Sequence, residues 1–387
     1  MTNPSFRNIL RPLFCRLTSA LLLMSLTALS LTSCVDEDEY SNTARGNFEA
    51  LWKMMDEHYC FFAEKQQTLG VDWNEVHARY AAQVNDLMTE DQLFEVLGNM
   101  LGELRDGHVN MYSAWDVARN WSWHEDYPAN VSDTLLRRYL GTDYRIAASM
   151  KYRILDDNIG YMRCASFANG FGEGNLDEVM LYLAPCRALI IDVRDNSGGL
   201  VTSAEQLAAR FTNEKRLVGY MRHKTGRGHD DFSDLEAQYL KPSNGLRWQK
   251  RVAVLTNRSV YSAANEFVKY MKCCPGVVVV GDSTGGGAGM PFSSELPIGW
   301  SVRFSACPMY DADKQSVENG IAPSLPAALS NRPGHPRSTS RRRRYCRQQP
   351  ENPYPASPSV PVPVLTESSY CRSHFRRYRG SVHRRTQ

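Results

Sequence analysis

The 387 residues contain no C-x-x-C pair and no cluster of histidines, so the ten cysteines do not make a zinc-type ligand set. Gly-Lys-Ser and Gly-Lys-Thr are also missing, and the glycine run Gly285 to Gly289 leads into Met290-Pro291 rather than a helix, which excludes a phosphate loop. No metal and no cofactor is therefore expected. Long apolar runs are scarce: Leu17 to Leu31 is too short for a membrane span. Lysine disappears after Lys314, and from Asn331 onward thirteen arginines face only Glu351 and Glu367. That tail carries about +11, so the +3 of the whole chain leaves about −8 for the rest, an acidic body for which no nucleic-acid partner is expected. Among the cysteines, Cys273 and Cys274 are adjacent and poorly placed to bridge each other, while Cys60, Cys164, Cys186 and Cys307 are most simply core residues.

What is present begins with a leader. Arg7, Arg11 and Arg16 precede the apolar run, giving a signal peptide over residues 1–33. It ends in Leu31-Thr32-Ser33-Cys34, which resembles the lipobox of bacterial lipoproteins, with Cys34 as the lipidated residue. Residues 34–46 then read as an acidic tether around Asp36-Glu37-Asp38-Glu39, similar to the surface-export signal of Bacteroidetes lipoproteins. The expectation is a chain lipid-anchored in the cell envelope, at the outer membrane or cell surface. At the other end, residues 331–387 are rich in Arg, Pro and Ser with no apolar periodicity, and read as a disordered tail translated in a shifted frame.

Residues 47–110 carry helical periodicity. Phe48, Leu51, Trp52 and Met55 mark one helix face, and Val76, Tyr80 and Val84 a second. A third helix opens on Thr89-Glu90-Asp91-Gln92, a capping-box pattern, continues to Leu104, and is expected to close at Gly107. His108 follows directly. Alone, a histidine there reads as a capping or surface residue. Residues 111–330 form a second region, in which strand candidates alternate with helix candidates: Ile159 to Met162, Ala188 to Val193, Val252 to Thr256 and Val277 to Gly281 against Leu176 to Leu183 and Ser203 to Phe211. Such alternation argues an α/β sheet. The polar stretch Thr225 to Gly245 is a candidate cover for a cleft, and Trp115, Trp121, Trp123 and Tyr127 are candidates to line a substrate groove, with burial beneath the helices the simpler expectation.

Ser262 stands where the strand ending at Thr256 gives way to a helix marked by Ala264, Phe267, Val268 and Met271. The first N-H groups of a helix lack intrahelical partners, so an oxyanion formed beside this serine would meet donors. The plain alternative is a helix N-cap. Taken in order, "IIDVRDNSGG", "LTNRSVYSAANEF", "VVVVGDSTGGG" and "VENGIAPS" resemble the S41 family of serine peptidases, of the C-terminal processing and tricorn-core type, over about residues 47–324.

The resemblance implies a ClpP/crotonase-like spiral core under an N-terminal helical cap. It implies Ser262 as nucleophile, His108 as base with a pKa near the operating pH, and Glu318 as the acidic support for the histidine. Ala263 with Gly198 or Gly199 would supply the oxyanion hole. The substrate would be a peptide or protein. Three departures matter. Only about fifty residues separate His108 from the strand at Asn158, too few for the PDZ domain of many processing peptidases. The lysine of the Ser-Lys branch is missing from the glycine loop, and Lys269 and Lys272 are carried away from Ser262 by helical rise. Gly107 stands where the tricorn branch has a bridging serine, so Glu318 must reach His108 directly, through water, or be replaced by Asp106. These departures keep a second reading open, a catalytically inactive peptide- or lipid-binding lipoprotein on the same fold.

Overall fold

The computed structural model describes residues 40–120, 124 and 127–329. Cys34, the leader, Trp121, Trp123 and the Arg-rich tail lie outside them. Four helices come first: α1 (Ala44–His58), α2 (Phe62–Leu69), α3 (Trp73–Ala81) and α4 (Glu90–Gly102). Their starts are set by side chains that satisfy unpaired N-H groups. Thr43 accepts from Gly46 at the head of α1, Asp72 from Asn74 and Glu75 at α3, and Thr89 with Gln92 closes the capping box of α4. The buried faces are those of the sequence pattern, with Phe48, Leu51 and Met55 on α1 and Leu93, Phe94, Leu97 and Leu101 on α4. Trp52 and Trp73 lock α1 to α3 by donating each indole N-H to the other's carbonyl, at 3.0 and 3.2 Å.

The structure adds one helix here and corrects one helix end. Helix α2 has no counterpart in the sequence reading, because it is short and its buried face holds only Phe62 and Lys65. Helix α4 stops at Gly102, and the left-handed residue beyond it is Arg105 with φ 45°, not Gly107. The next turn closes on the Asp106 side chain, which takes the His108 N-H at 2.7 Å.

Two sheets follow. The first contains β1 (Asn110–Tyr112), β2 (Val117–Arg119), β7 (Arg216–Met221), β8 (Glu236–Leu240), β11 (Gly289–Glu295) and β12 (Ser301–Tyr310), ordered β2-β1-β12-β7-β8 with β11 on β12. The second is ordered β13-β10-β9-β6-β5-β4-β3, from β3 (Arg145–Ala147), β4 (Met150–Ile154), β5 (Ile159–Cys164), β6 (Ala188–Asp192), β9 (Arg251–Thr256), β10 (Val277–Gly281) and β13 (Leu325–Pro326). Strands β5, β6, β9, β10 and β13 run parallel. Helix α5 (Asp133–Leu140) precedes β3, α6 (Glu173–Leu183) links β5 to β6, α7 (Val201–Ala208) follows β6, and α8 (Ala263–Lys272) links β9 to β10. The result is the expected mixed α/β core. Leu189, Ile191, Val254 and Val279 from the strands pack with Leu176, Leu207, Phe267 and Met271 from the helices. Each such side chain contributes about 1.5–3 kcal/mol. The four cysteines assigned to the core, Cys60, Cys164, Cys186 and Cys307, are buried.

The stretch Thr225 to Gly245 contains β8, and its first part is tied to α1 by His229 on Asp56 at 2.7 Å and Arg227 on Glu57 at 3.5 Å. Trp115 and Tyr127 are largely exposed rather than buried, Tyr127 lying under the Arg258 guanidinium at 3.9 Å.

Candidate active site

Because β6, β9 and β10 are parallel neighbours, their carboxyl ends deliver three loops to one place. The loop after β6 carries Asn196, Gly198 and Gly199, the one after β9 carries Ser262, and the one after β10 carries Gly285 to Gly289. Backbone bonds stitch them together: Tyr261 N-H to Asn196 O at 3.1 Å, Ser262 N-H to Gly286 O at 2.9 Å and Gly285 N-H to Val260 O at 2.7 Å.

Ser262 adopts φ 55° and ψ −125°, a conformation that glycine favours, and its side chain makes no capping bond to α8. The N-cap reading is thereby set aside. Such a backbone costs about 1–3 kcal/mol and turns the side chain out of the strand-to-helix turn. Oγ lies 2.9 Å from His108 Nε2, across 154 positions of sequence. With the ring proton on Nδ1, the serine hydroxyl donates to the imidazole, the arrangement a base needs to activate a weak nucleophile.

Close approach of the loops demands the glycine pair. A Cβ on Gly198 would lie 2.8 Å from Ser262 Cβ, and one on Gly199 would lie 2.2 Å from the Phe167 carbonyl carbon. The two glycines are not equivalent. Gly198 spends its N-H on Asn196 Oδ1 at 2.9 Å. Phe167 brackets Gly199, donating to Gly198 O and accepting from Leu200, which leaves the Gly199 N-H on the other side of the ribbon. Among the described residues, the N-H groups of Gly199 and Ala263 have no acceptor, so this pair fits an oxyanion and Gly198 does not.

His108 is buried at the foot of β1, with its Nδ1 lacking a hydrogen-bond partner among the described residues. Burial lowers its pKa to about 4, against the raising effect of Asp106 and with the lowering effect of Arg303. The near-neutral value expected from the residue type is thus corrected by desolvation. The Tyr261 ring packs beside the imidazole, centroids 5.0 Å apart.

Glu318 is buried nearby but does not hydrogen-bond the imidazole. Its Oε2 accepts from the Ala288 N-H at 2.8 Å and its Oε1 lies 3.8 Å from Lys65 Nζ. The reason is local: Ser316 and Asn319 bond Glu64 of α2 at 2.9 and 2.6 Å, drawing the turn toward that helix. Burial and the Asp106 charge raise the Glu318 pKa well above the ordinary carboxylate value, while Lys65 and the Ala288 N-H lower it. Asp106 takes the position nearer the histidine, and Tyr59 and Ser305 donate to its Oδ2 at 3.1 and 2.8 Å. Tyr59, Lys65, Tyr261 and Ser305 escaped the sequence reading. Only Tyr261, beside the serine, carried a signal, and that was adjacency alone.

The glycine loop also explains the missing lysine. A Cβ on Gly287 would sit 2.4 Å from Tyr261 Cζ, so the tyrosine ring leaves no room for a side chain there. Lys269 is buried in α8 with Nζ 2.6 Å from Glu266 Oε2, and Lys272 donates to Ala322 O at 3.3 Å. Neither bonds Ser262.

Comparison with known proteins identifies the family and the fold. Residues 158–327 match the model of peptidase family S41, and residues 40–102 match that of the tricorn protease C1 domain. A candidate peptidase from Parabacteroides merdae ATCC 43184, known as a crystal structure, is 51% identical with a TM-score of 0.71, covering 75% of this chain and 91% of that one. Carboxy-terminal processing protease CtpA of Bacillus subtilis (strain 168) is 24% identical over 176 residues, 45% of this chain and 36% of that protein. The match thus spans about a third of that curated relative. Mature CPAF shares the fold at 12% identity, with a TM-score of 0.55 over 73% of this chain and 92% of its own. The chain belongs to peptidase family S41.

Proposed function

We propose that this chain is a serine endopeptidase acting on exported polypeptides by acyl transfer, with Ser262 as nucleophile and His108 as base. The Ser262 Oγ to His108 Nε2 contact of 2.9 Å on a positive-φ serine carries this reading. The N-H groups of Ala263 and Gly199 would hold the oxyanion, and acidic support for His108 would come from one of the two buried carboxylates behind it, Glu318 or Asp106. Incubation of the purified full chain with an unfolded protein, followed by mass analysis of the products, tests the reading. Internal cuts that vanish in Ser262→Ala are expected. Tight retention of an uncleaved peptide by folded protein would point instead to a binding protein.

The oxyanion assignment predicts that Gly199→Ala lowers kcat/KM about a hundredfold, since the added Cβ forces the Phe167 pairing open and misplaces a donor. Gly174→Ala, with nothing within 4 Å of the added atom, should change little. Equal activity of the two variants would contradict the assignment.

The pH dependence follows from the buried imidazole. His108 must be neutral to accept the serine proton, and burial holds its pKa at about 4, so kcat/KM should fall on the acid side near pH 4 rather than near 6.5. Stability shares the sign. The folded value lies below the unfolded 6.5, so as pH falls the unfolded chain takes up this proton first. The contribution is complete above 6.5 and is lost progressively down to about 4. An acid limb centred near neutrality would contradict the buried geometry.

The lipobox-like Leu31-Thr32-Ser33-Cys34 supports a mature chain in the cell envelope, anchored through a lipidated Cys34. A single acyl chain holds a protein on a membrane only marginally, so the multiply acylated cysteine of a lipoprotein is what retention requires. Cys34→Ser should move the protein from the membrane to the soluble fraction or leave it unprocessed. An unchanged mass and unchanged membrane fractionation would count against the anchor.

A further inference from the structure

We propose that Asp106, rather than Glu318, positions His108 and stabilises the imidazolium formed when Ser262 gives up its proton. The proposal rests on the peptidase reading and names the residue that supports its base. Four donors from four segments converge on the Asp106 carboxylate. Oδ1 takes the His108 N-H at 2.7 Å and lies 3.5 Å from the Tyr261 hydroxyl, while Oδ2 takes Tyr59 at 3.1 Å and Ser305 at 2.8 Å. The left-handed Arg105 just before it sets the turn that folds the Asp106 side chain back under the His108 backbone. One bond fixes the histidine's main chain, and the Tyr261 ring, aimed at the same carboxylate, flanks the imidazole.

Glu318 has other engagements. The Ala288 N-H and Lys65 occupy its two oxygens, and its contact with α2 is braced by the Glu64 bonds to Ser316 and Asn319. The charged groups acting on the imidazole are Asp106 from its own turn and Arg303 from β12, with Ser262 and Tyr261 facing it from the head of α8. Behind Asp106 stand Tyr59, Ser305, Glu318 and Lys65. Asp106 favours the protonated imidazole and Arg303 opposes it. Asp106 acts on Glu318, and Glu318 is not among the charges acting on the imidazole.

The test uses the full chain and a fluorophosphonate probe, with kinact and KI measured from about pH 3 to 8 for wild type, Asp106→Asn and Glu318→Gln. Asp106→Asn should lower kinact about a hundredfold at nearly unchanged KI and move the acid limb to lower pH, because the charge that favoured imidazolium is gone. Glu318→Gln should lose at least tenfold less and leave the limb in place. A second readout needs no turnover: in Ser262→Ala, the His108 imidazole followed by NMR should titrate at lower pH once Asp106→Asn is added. Should Asp106→Asn fail to fold, the double variant Tyr261→Phe with Ser305→Ala removes two donors and keeps the charge. It should lower kinact about tenfold without shifting the limb. Retained kinact with an unmoved titration, or a larger loss and shift in Glu318→Gln, overturns the proposal. A wild-type chain that never reacts, yet whose His108 titration responds to Asp106→Asn, shows that the peptidase reading failed and the electrostatic coupling did not.

Discussion

Ser262→Ala and His108→Ala should each lower peptide turnover on the order of a thousandfold or more, and the double variant should lose little beyond either single one. The serine hydroxyl and the imidazole are 2.9 Å apart, and neither performs the proton transfer without the other. Removing the first partner therefore removes the work of both. The residue left behind is different in the two cases. Ser262→Ala keeps the strained turn and the unpaired N-H groups of Ala263 and Gly199, so it should still bind peptide and serve as a substrate trap. His108→Ala opens space beside the buried Tyr261 ring, whose centroid lies 5.0 Å from the imidazole, and leaves the oxyanion donors in place, so substrate affinity should change less than turnover. Steady-state kinetics on a peptide cut by the wild type measure both effects. Additive losses in the double variant would mean that the two side chains act separately.

The second large effect concerns stability. Lys269→Met should destabilise the protein by roughly 3–5 kcal/mol, because it strips the cation from a carboxylate that has no water to turn to. Glu266 and Lys269 are both almost fully buried, with Oε2 and Nζ 2.6 Å apart and aligned outside hydrogen-bond geometry, so charge pairing is what holds them. They lie on α8, whose first turn holds the active-site loop. Replacing both, as Glu266→Leu with Lys269→Met, should restore most of the loss, since an apolar pair of similar volume carries no desolvation cost. Activity per folded molecule should change little in the single variant, because Lys269 does not bond Ser262. Denaturant melts of the three variants decide the matter, and a silent Lys269→Met would contradict it.

The two halves of the site differed in legibility. Ser262 could be read because its surroundings are local: an apolar strand, a turn and small residues at the head of a helix lie within about ten positions of it. His108 had no such frame, and only its likeness to a family motif raised it above the other histidines. The acidic cluster behind it was not legible in its arrangement. Tyr59, Lys65, Asp106, Tyr261, Ser305 and Glu318 come from six separate segments, and Ser305 reaches Asp106 through the pairing of β1 with β12 and the Cys60 N-H bond to its carbonyl. Lys65 lay in a helix whose buried face is too short to show periodicity. The end of α4 departs from the sequence pattern for a related reason. A glycine suggests a helix stop, but here Arg105 takes the left-handed position and the Asp106 side chain, not glycine geometry, closes the turn. The α/β core was easier, since buried parallel strands appear as continuous apolar runs such as Val277 to Val280.

The most direct test of the account is covalent labelling of the purified, folded chain with a fluorophosphonate, read by intact mass and peptide mapping. The account predicts one adduct per chain, on Ser262, absent in Ser262→Ala and slowed by about a thousandfold or more in His108→Ala. No adduct on folded wild-type protein, or an adduct that forms as fast without His108, would contradict it.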